Sequence, residues 1–213
     1  MQSVKEKSLG EGTVYVISAP SGGGKTTLVE ALMAEDRDVT RAVTHTTRAP
    51  REGEVNGVDY HFVTVETFRS MIEANAFLEH AEVFGNLYGT SMAEVEAHTK
   101  TGQDVVLVID WQGAAFVKAI MPEAELVFII PPSIESLEER LSARKQDDAN
   151  VVKKRMEDAV NQIRHYDKFD YVVVNDKFET ALQNLSEIFR ANRLRTSYQK
   201  VKNSVLLSSL LGE

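Results

Sequence analysis

Residues 13–26 read Thr13-Val14-Tyr15-Val16-Ile17-Ser18-Ala19-Pro20-Ser21-Gly22-Gly23-Gly24-Lys25-Thr26. The first six residues form a short apolar run, which predicts a buried strand. Three glycines follow, and the run from Lys25 to Ala34 has a helix-forming composition with apolar residues spaced for one face. A strand, a glycine loop and a helix in this order open a doubly wound α/β fold with a mainly parallel sheet.

The glycine run matches the phosphate-loop pattern G-x-x-x-x-G-K-[ST] at every position but the first, where Ala19 replaces glycine. Glycines let backbone N–H groups surround phosphate oxygens, and the N-terminus of the following helix adds positive potential. Lys25 would reach the β- and γ-phosphates, and the hydroxyl of Thr26 would ligate Mg²⁺. The pattern predicts a nucleotide phosphate site but does not identify the phosphate acceptor.

Three later apolar runs predict further parallel strands, at residues 104–110, 126–130 and 171–174. A helix from about residue 112 to 120 is expected between the first two. A helix from 179 to 193 is expected after the third, because its apolar residues recur at helical spacing. Each strand and helix pair fits a right-handed crossover onto the same sheet.

Residues 44–91 differ from the rest, because they are rich in Thr, Gly, His and aromatic residues in short alternating pieces around a helical piece at 66–74. We therefore expect one domain over residues 1–213. Its core comprises 13–43 and 92–213, its small mixed insertion comprises 44–91, and its charged helical segment lies at about 140–160. The apolar spacing in 196–213 favours a terminal helix packed on the domain. A self-association face, which would make a homo-oligomer, stays open.

The composition is that of an ordinary globular protein, with 43% hydrophobic and 26% charged residues in 213. The net charge of −8 argues against a nucleic-acid partner, whereas a small polyanion needs only a local cationic cluster. The chain has no cysteine, which excludes disulfides and fits a reducing compartment. No apolar run approaches the length of a membrane span, so we expect a cytoplasmic protein without a membrane partner.

A second candidate anion site lies in Thr44–Glu54, where Arg48 and Arg51 are three residues apart among hydroxyl side chains. Two arginines at this spacing form a fork that suits a phosphate, and Tyr60 and Tyr88 would add phenolic donors. A solvated polar loop explains the same residues equally well. The residues alone leave the two interpretations open.

The chain resembles the guanylate kinase family over about residues 13–195. The resemblance rests on an ordered set of strings, which is more specific than any single motif. These strings are residues 18–26, Thr46-Thr47-Arg48-Ala49-Pro50-Arg51-Glu52-Gly53-Glu54, Asn56-Gly57-Val58-Asp59-Tyr60, Gly85-Asn86-Leu87-Tyr88-Gly89-Thr90, Ile109-Asp110-Trp111-Gln112-Gly113, Pro131-Pro132-Ser133 and Val174-Asn175-Asp176.

The resemblance implies an ATP:GMP phosphotransferase that uses Mg²⁺ with ATP and gives ADP and GDP. It implies a fold of the P-loop kinase type, with 44–91 as the GMP-binding insertion and about 140–160 as a helical lid. ATP would bind along the phosphate loop, at Ala19, Pro20, Ser21, Gly22, Gly23, Gly24, Lys25, Thr26 and Thr27, with Arg144 and Asn175 at the adenine. GMP would bind at Thr44, Arg48, Arg51, Glu54, Tyr60, Glu79, Tyr88, Thr90 and Asp110.

The resemblance makes Glu79 the reader of guanine, and elementary chemistry supports this role. A carboxylate accepts from guanine N1–H and N2–H₂ together, whereas adenine offers no donor at either place. Thr44 and Thr90 would lie near the guanine O6. Asp110, at the end of an apolar strand, would hold Mg²⁺ through water or fix an arginine of the acceptor site.

Lys25, Arg48 and three lid arginines (Arg140, Arg144 and Arg155) would neutralise charge on the transferring phosphoryl group, which needs alignment and electrostatics and no covalent step. The chain departs from the family at Val108, where members often carry a second acid. It departs again at Lys145, where many have glycine.

Two other functions remain open at this stage. Guanylate-kinase-like binding modules have lost catalysis, and they typically carry a degraded phosphate loop, unlike the Gly24-Lys25-Thr26 found here. A related kinase for ribose bisphosphate would share the phosphate loop. Glu79 with Thr44 and Thr90 favours guanine over that acceptor.

Overall fold

The computed structural model describes residues 12–83, 85–142 and 149–212. The strands in these residues are β1 (Val14–Ser18), β2 (Val39–Arg41), β3 (His45–Thr46), β4 (His61–Phe62), β5 (Phe77–Val83), β6 (Asn86–Ser91), β7 (Asp104–Val108), β8 (Glu125–Ile130) and β9 (Tyr171–Val174). The helices are α1 (Lys25–Glu35), α2 (Val65–Glu73), α3 (Met92–Thr99), α4 (Trp111–Ile120), α5 (Ile134–Ser142), α6 (Ala149–Ile163), α7 (Phe178–Arg193), α8 (Thr196–Lys202) and α9 (Ser204–Leu211).

A parallel sheet of five strands forms the centre, in the order β2-β7-β1-β8-β9. This confirms the predicted doubly wound α/β fold and its four predicted strands. The edge strand β2, of three residues, and the helix α3 were not predicted from the sequence. Both are short, and neither shows a long periodic pattern.

The central strand β1 is buried on both faces because its alternate side chains enter two different cores. Tyr15 and Ile17 pack with α1 and α7, and the Tyr15 ring stacks on Phe189 at 3.7 Å between centroids. Val14 and Val16 pack on the opposite face with residues of α3 and α4. Parallel strands end at one edge of the sheet, so the residues after β1, β7 and β9 meet there.

The insertion forms a second sheet, in the order β4-β3-β6-β5. Strands β5 and β6 form an antiparallel pair that opposes Glu79 to Thr90, with a bulge between Phe77 and Glu79. Helix α2 begins at the N-cap Thr64, whose hydroxyl accepts from the Thr67 N–H. This is the mixed insertion with one helix that the sequence predicts.

Helices α5 and α6 form the charged segment and bury a small apolar cluster of Leu137, Leu141 and Ala159. Both helices are amphipathic, which explains why a highly charged sequence still packs. Arg144, predicted to lie at the adenine and in the lid, is outside the described residues, as is Lys145, at which the chain departs from the family.

The C-terminal segment differs from the favoured prediction of one helix packed on the domain. It contains two short helices that meet at Asn203, whose φ of −112° and ψ of 25° leave the helical conformation. The apolar side chains of α9, such as Val205 and Leu210, are largely exposed. Apolar spacing alone was misleading, because the core cluster beside α1 contains, among the described residues, side chains of α7, such as Leu185 and Phe189, and none of α9. Among the described helices, none combines the length and the apolar character required to traverse a membrane.

Candidate active site

The loop between β1 and α1 is built for an anion. Gly22 and Gly24 have φ values of 83° and 86°, a conformation that side chains disfavour. Gly24 is also the N-cap of α1, and among the residues that the structure describes no side chain caps that helix. The first N–H groups of α1 therefore remain available to a ligand at the positive end of the helix dipole.

Lys25 projects from the first turn of α1 towards the end of β7. Its Nζ donates to the carbonyl oxygen of Ile109 at 3.4 Å. The side chain is only partly shielded from solvent, but crowding of the ammonium by protein atoms lowers its pKa to about 8, and nearby Asp110 opposes that shift. An incoming phosphate would supply negative charge to a cation that the protein solvates poorly.

One cavity of about 490 Å³ joins this loop to the insertion. Its described lining includes all nine loop residues predicted for ATP, Ala19–Thr27, and five of those predicted for GMP: Thr44, Tyr60, Glu79, Tyr88 and Asp110. The same cavity is also lined by four residues that were not predicted from the sequence: Ala81, Val83, Ile109 and Gln162. The alternation of Glu79 with Ala81 and Val83 along β5 was a usable signal for two of them.

Glu79 lies at the floor of the cavity and is 4% exposed. Its Oε1 accepts the N–H of Thr90 at 3.0 Å, and its other oxygen faces the start of α4, where a Cβ on Gly113 would lie 3.5 Å away. Burial raises the pKa of Glu79; the bonds from Thr90 oppose the shift, and Asp110 adds to it. A buried acceptor of this kind favours a ligand that offers it N–H donors.

Asp110 has a structural function that the sequence did not reveal. Its Oδ1 accepts the N–H of Gly113 at 2.9 Å, so it is the N-cap of α4. It also lines the cavity beside Val108, the position at which the family often has a second acid. Asp110 can therefore orient α4 and contribute a carboxylate to the cavity at the same time.

Arg48 is held in place by Glu54. Its Nη2 lies 2.8 and 3.0 Å from the two carboxylate oxygens, and its guanidinium stands 5.3 Å from the centroid of the Tyr60 ring. Glu54 also accepts the backbone N–H of Arg51 at 2.7 Å. The bond from Arg48 lowers the pKa of Glu54, so this carboxylate stays ionised. Glu54 thus holds Arg48 through its guanidinium and Arg51 through its backbone N–H.

Among the other residues predicted for GMP, the structure places Thr90 next to Glu79 and leaves the Arg51 side chain exposed. Tyr60 and Tyr88 lie together, with ring centroids 6.0 Å apart. The backbone oxygen of Thr44 accepts the N–H of His61 at 2.9 Å, which ties β4 to the entrance of the insertion.

Two of the predicted lid arginines reach the nucleotide loop or its neighbours. Arg155 Nη2 donates to Ser21 Oγ at 3.0 Å, and Arg140 Nη2 donates to the carbonyl oxygen of Asn175 at 2.9 Å. Leu137 and Leu141 of α5 lie so close to Gly22 that a Cβ there would come within 3.0–3.2 Å of them. Helices α5 and α6 therefore contact the phosphate loop directly.

Comparisons with known proteins agree with this geometry. The family model described as guanylate kinase matches residues 11–192. A guanylate kinase of Hahella chejuensis is 50% identical over 204 residues, which cover 96% of this chain and 98% of that protein. A guanylate kinase of Salmonella typhimurium is 50% identical over 207 residues, which cover 96% and 100%.

A solved structure also matches. The crystal structure of guanylate kinase from Anaplasma phagocytophilum superposes with a TM-score of 0.71 at 33% identity, and the match covers 92% of this chain and 95% of that one. Because sequence and structure agree over nearly the whole length, the chain belongs to the guanylate kinase family.

Proposed function

We propose that this chain transfers the γ-phosphate of ATP to GMP and releases ADP and GDP. Membership of the guanylate kinase family makes it an ATP:GMP phosphotransferase. The observation that carries the proposal is the single cavity that has the phosphate loop on one wall and the buried Glu79 on another. Two nucleotides held in one cavity can meet with their phosphates in line.

On the donor side, the loop amides and Lys25 bind the β- and γ-phosphates of ATP. Mg²⁺ fits this wall, because the Thr26 hydroxyl lines the cavity beside Lys25 and Asp110 lies in the same cavity. Mg²⁺ usually keeps several waters and takes few protein ligands. Thr26 would hold it directly, and Asp110 would hold it through water. The ion neutralises charge on the phosphates when it is bound.

On the acceptor side, Glu79 accepts hydrogen bonds from N1–H and N2–H₂ of guanine, with the hydroxyls of Thr44 and Thr90 near O6. The GMP phosphate binds to the set of Arg48, Arg51, Tyr60 and Tyr88. Glu54 keeps Arg48 extended towards that phosphate, so the site needs little rearrangement when GMP arrives.

Residues 44–91 act as the GMP-binding insertion, and about 140–160 act as the lid. The lid arginines Arg140, Arg144 and Arg155 stabilise charge on the transferring phosphoryl group, as does Arg48. Closure over both nucleotides excludes water and so prevents hydrolysis of ATP. No side chain is needed as an essential general base. We infer a cytoplasmic location, which fits a chain without cysteine.

Coupled measurement of ADP release with a panel of acceptors tests the proposal. We expect turnover with GMP and dGMP, and turnover lower by about 10⁴-fold with AMP, which leaves the buried carboxylate unpaired. UMP and ribose bisphosphate serve as further competitors. Preference for ribose bisphosphate, or absence of ADP release with GMP, would contradict the assignment.

A further inference from the structure

Asn175 contacts the phosphate loop from behind. It follows β9, where its backbone N–H donates to the Ile130 carbonyl at 2.8 Å and extends the β8–β9 pairing. The side chain is 6% exposed, and its Nδ2 donates to the carbonyl oxygen of Gly23 at 2.9 Å. The loop residues line the cavity, whereas Asn175 is not among the described lining residues. The loop therefore lies between Asn175 and the cavity in which the phosphates would bind.

The bond from Asn175 fixes the orientation of one peptide unit. Gly23 C=O and Gly24 N–H belong to the same planar trans peptide, so the two groups point in opposite directions. When the carbonyl faces Asn175, the Gly24 N–H faces the other side of the loop, where the cavity lies. If this peptide turned over, a carbonyl oxygen would replace an N–H donor at the anion site, and like partial charges would repel.

The contact between Asn175 and Gly24 is close. A Cβ built on Gly24 would lie 2.3 Å from Asn175 Nδ2, and the φ of Gly24 is +86°. Glycine is therefore required there for both space and conformation. The side chain of Asn175 packs directly on the backbone that it bonds, so its position determines the position of the loop.

The same residue also contacts the lid. Arg140 Nη2 donates to the backbone carbonyl of Asn175 at 2.9 Å, while the Asn175 side chain holds Gly23. A lid arginine and the phosphate loop thus share one support at the end of β9. Substitution of the side chain removes the loop contact but leaves the backbone carbonyl that Arg140 uses.

We propose that Asn175 is a positioning residue for the donor phosphates, whose side-chain amide holds the Gly23–Gly24 peptide with its N–H towards the polyphosphate. The proposal rests on the proposed function, since it requires the loop to bind ATP. It differs from the role that the resemblance implies, which is contact with adenine. A positioning role affects any polyphosphate, whereas an adenine contact affects only ligands that carry the base.

The decisive comparison is between ATP and inorganic triphosphate, each with Mg²⁺, titrated calorimetrically into the wild type and Asn175→Ala. We expect the variant to lose affinity for both ligands by the same factor, about tenfold, the size of one well-formed hydrogen bond to a buried carbonyl. Affinity for GMP is expected to change less than about twofold, because the described hydrogen bonds of Asn175 run to the phosphate loop, to β8 and to Arg140. In steady-state assays, KM for ATP is expected to rise while KM for GMP stays constant.

The matched control is Val174→Ala, which removes a half-exposed side chain from the adjacent residue of the same strand. It should leave all three affinities and the melting temperature near those of the wild type. Asn175→Ser removes less volume and repeats the test if the alanine variant does not fold. Unfolding of both variants would overturn a role confined to positioning the loop.

Loss of ATP affinity with unchanged triphosphate affinity would overturn the proposal and favour the adenine contact. Unchanged affinity for both ligands would overturn it as well. Failure of the wild type to release ADP with GMP would instead contradict the proposed function, so the two failures can be distinguished.

Discussion

The loop proposed for the donor and the pocket proposed for the acceptor would hold anions by different physical means. The donor loop uses backbone N–H groups from one continuous segment, in which Gly22 and Gly24 adopt positive φ. The acceptor pocket uses side chains from several strands and loops, such as Glu79 on β5 and Arg48 after β3. Backbone donors need no rotamer to be ordered, whereas each long side chain must lose rotamer entropy or be held beforehand.

The difference explains why the acceptor pocket carries supporting contacts. Glu54 holds Arg48 through both carboxylate oxygens, and Thr90 holds Glu79. Loss of one of these supporting contacts should weaken GMP binding only in part. The donor loop has one long cation, Lys25, so its loss should nearly abolish catalysis. Substitutions in the two sites should therefore differ in effect, and the largest effect is expected in the donor loop.

Lys25→Ala should impair phosphoryl transfer from the donor loop and leave GMP binding intact. We expect kcat to fall by at least about 10³-fold, as for loss of a preorganised donor that stabilises transition-state charge. GMP affinity should stay within about twofold, because the acceptor pocket is built from other elements. Binding can be followed by fluorescence of Trp111, the single tryptophan, which begins α4 directly after the cavity residue Asp110. The exposed Lys200→Ala is the control, and retained turnover in Lys25→Ala would contradict the assignment of the loop.

Glu79→Gln should break base recognition and leave the donor side intact. Gln offers one acceptor and places an NH₂ group against the guanine donors, so kcat/KM for GMP should fall by about 10²-fold and the preference over AMP should shrink. KM for ATP should not change. Glu82→Gln, at an exposed position of the same strand, is the control. An unchanged preference for guanine would exclude Glu79 as the reader of the base.

Glu54→Gln tests whether Glu54 acts on GMP only through Arg48. The variant removes the carboxylate that holds Arg48 and leaves the other proposed GMP ligands in place. Arg48 would lose an ionic partner that is itself near solvent, so KM for GMP should rise by only about fivefold. Arg48→Ala should cost considerably more, because it removes the cation that meets the phosphate. Equal effects of the two variants in steady-state assays would mean that Glu54 contacts GMP directly.

The smallest expected effect is that of Glu79→Gln on the free energy of unfolding. The folded-state pKa of Glu79 is raised by burial, so its favourable contribution is complete below the unfolded-state pKa and is lost as pH rises through the folded-state value. Above that value the buried carboxylate costs stability. Glu79→Gln should therefore have the higher free energy of unfolding at pH 8 without ligand, and the gap should narrow towards pH 4.5. Urea unfolding at several pH values measures this, with Glu82→Gln, at an exposed position of the same strand, as the control. If the difference in free energy of unfolding between Glu79→Gln and the wild type widened on acidification, burial of the Glu79 carboxylate would be excluded as its cause.

The same raised pKa makes acceptor binding sensitive to pH. Guanine requires the carboxylate, so GMP affinity should decrease as pH falls through the pKa of Glu79, whereas triphosphate affinity on the donor side should not follow this group. The energetic cost of burying Glu79 and the guanine selectivity proposed for it would have the same origin.

The class of fold and the conformation of the glycine loop could be predicted from the sequence alone. The strand, glycine loop and helix at residues 13–35 are contiguous, so their conformation follows from local composition and glycine placement. The predicted strands after residue 100 were recognisable because buried parallel strands are continuous apolar runs. The edge strand β2 was not, since three residues at a sheet edge carry no distinctive pattern.

Which distant residues complete the candidate site could not be predicted from the sequence, because it depends on how the elements pack. Asn175 bonds to Gly23 across 152 positions of sequence because β9 lies beside β8, which lies beside β1. Glu79 becomes a buried acid only where β5 packs against α4, and Gln162 reaches the cavity from α6. The exposure of α9 likewise depends on what already covers the core. Local sequence fixes conformations of a few residues, whereas burial, pKa and contact depend on the order in which the elements pack.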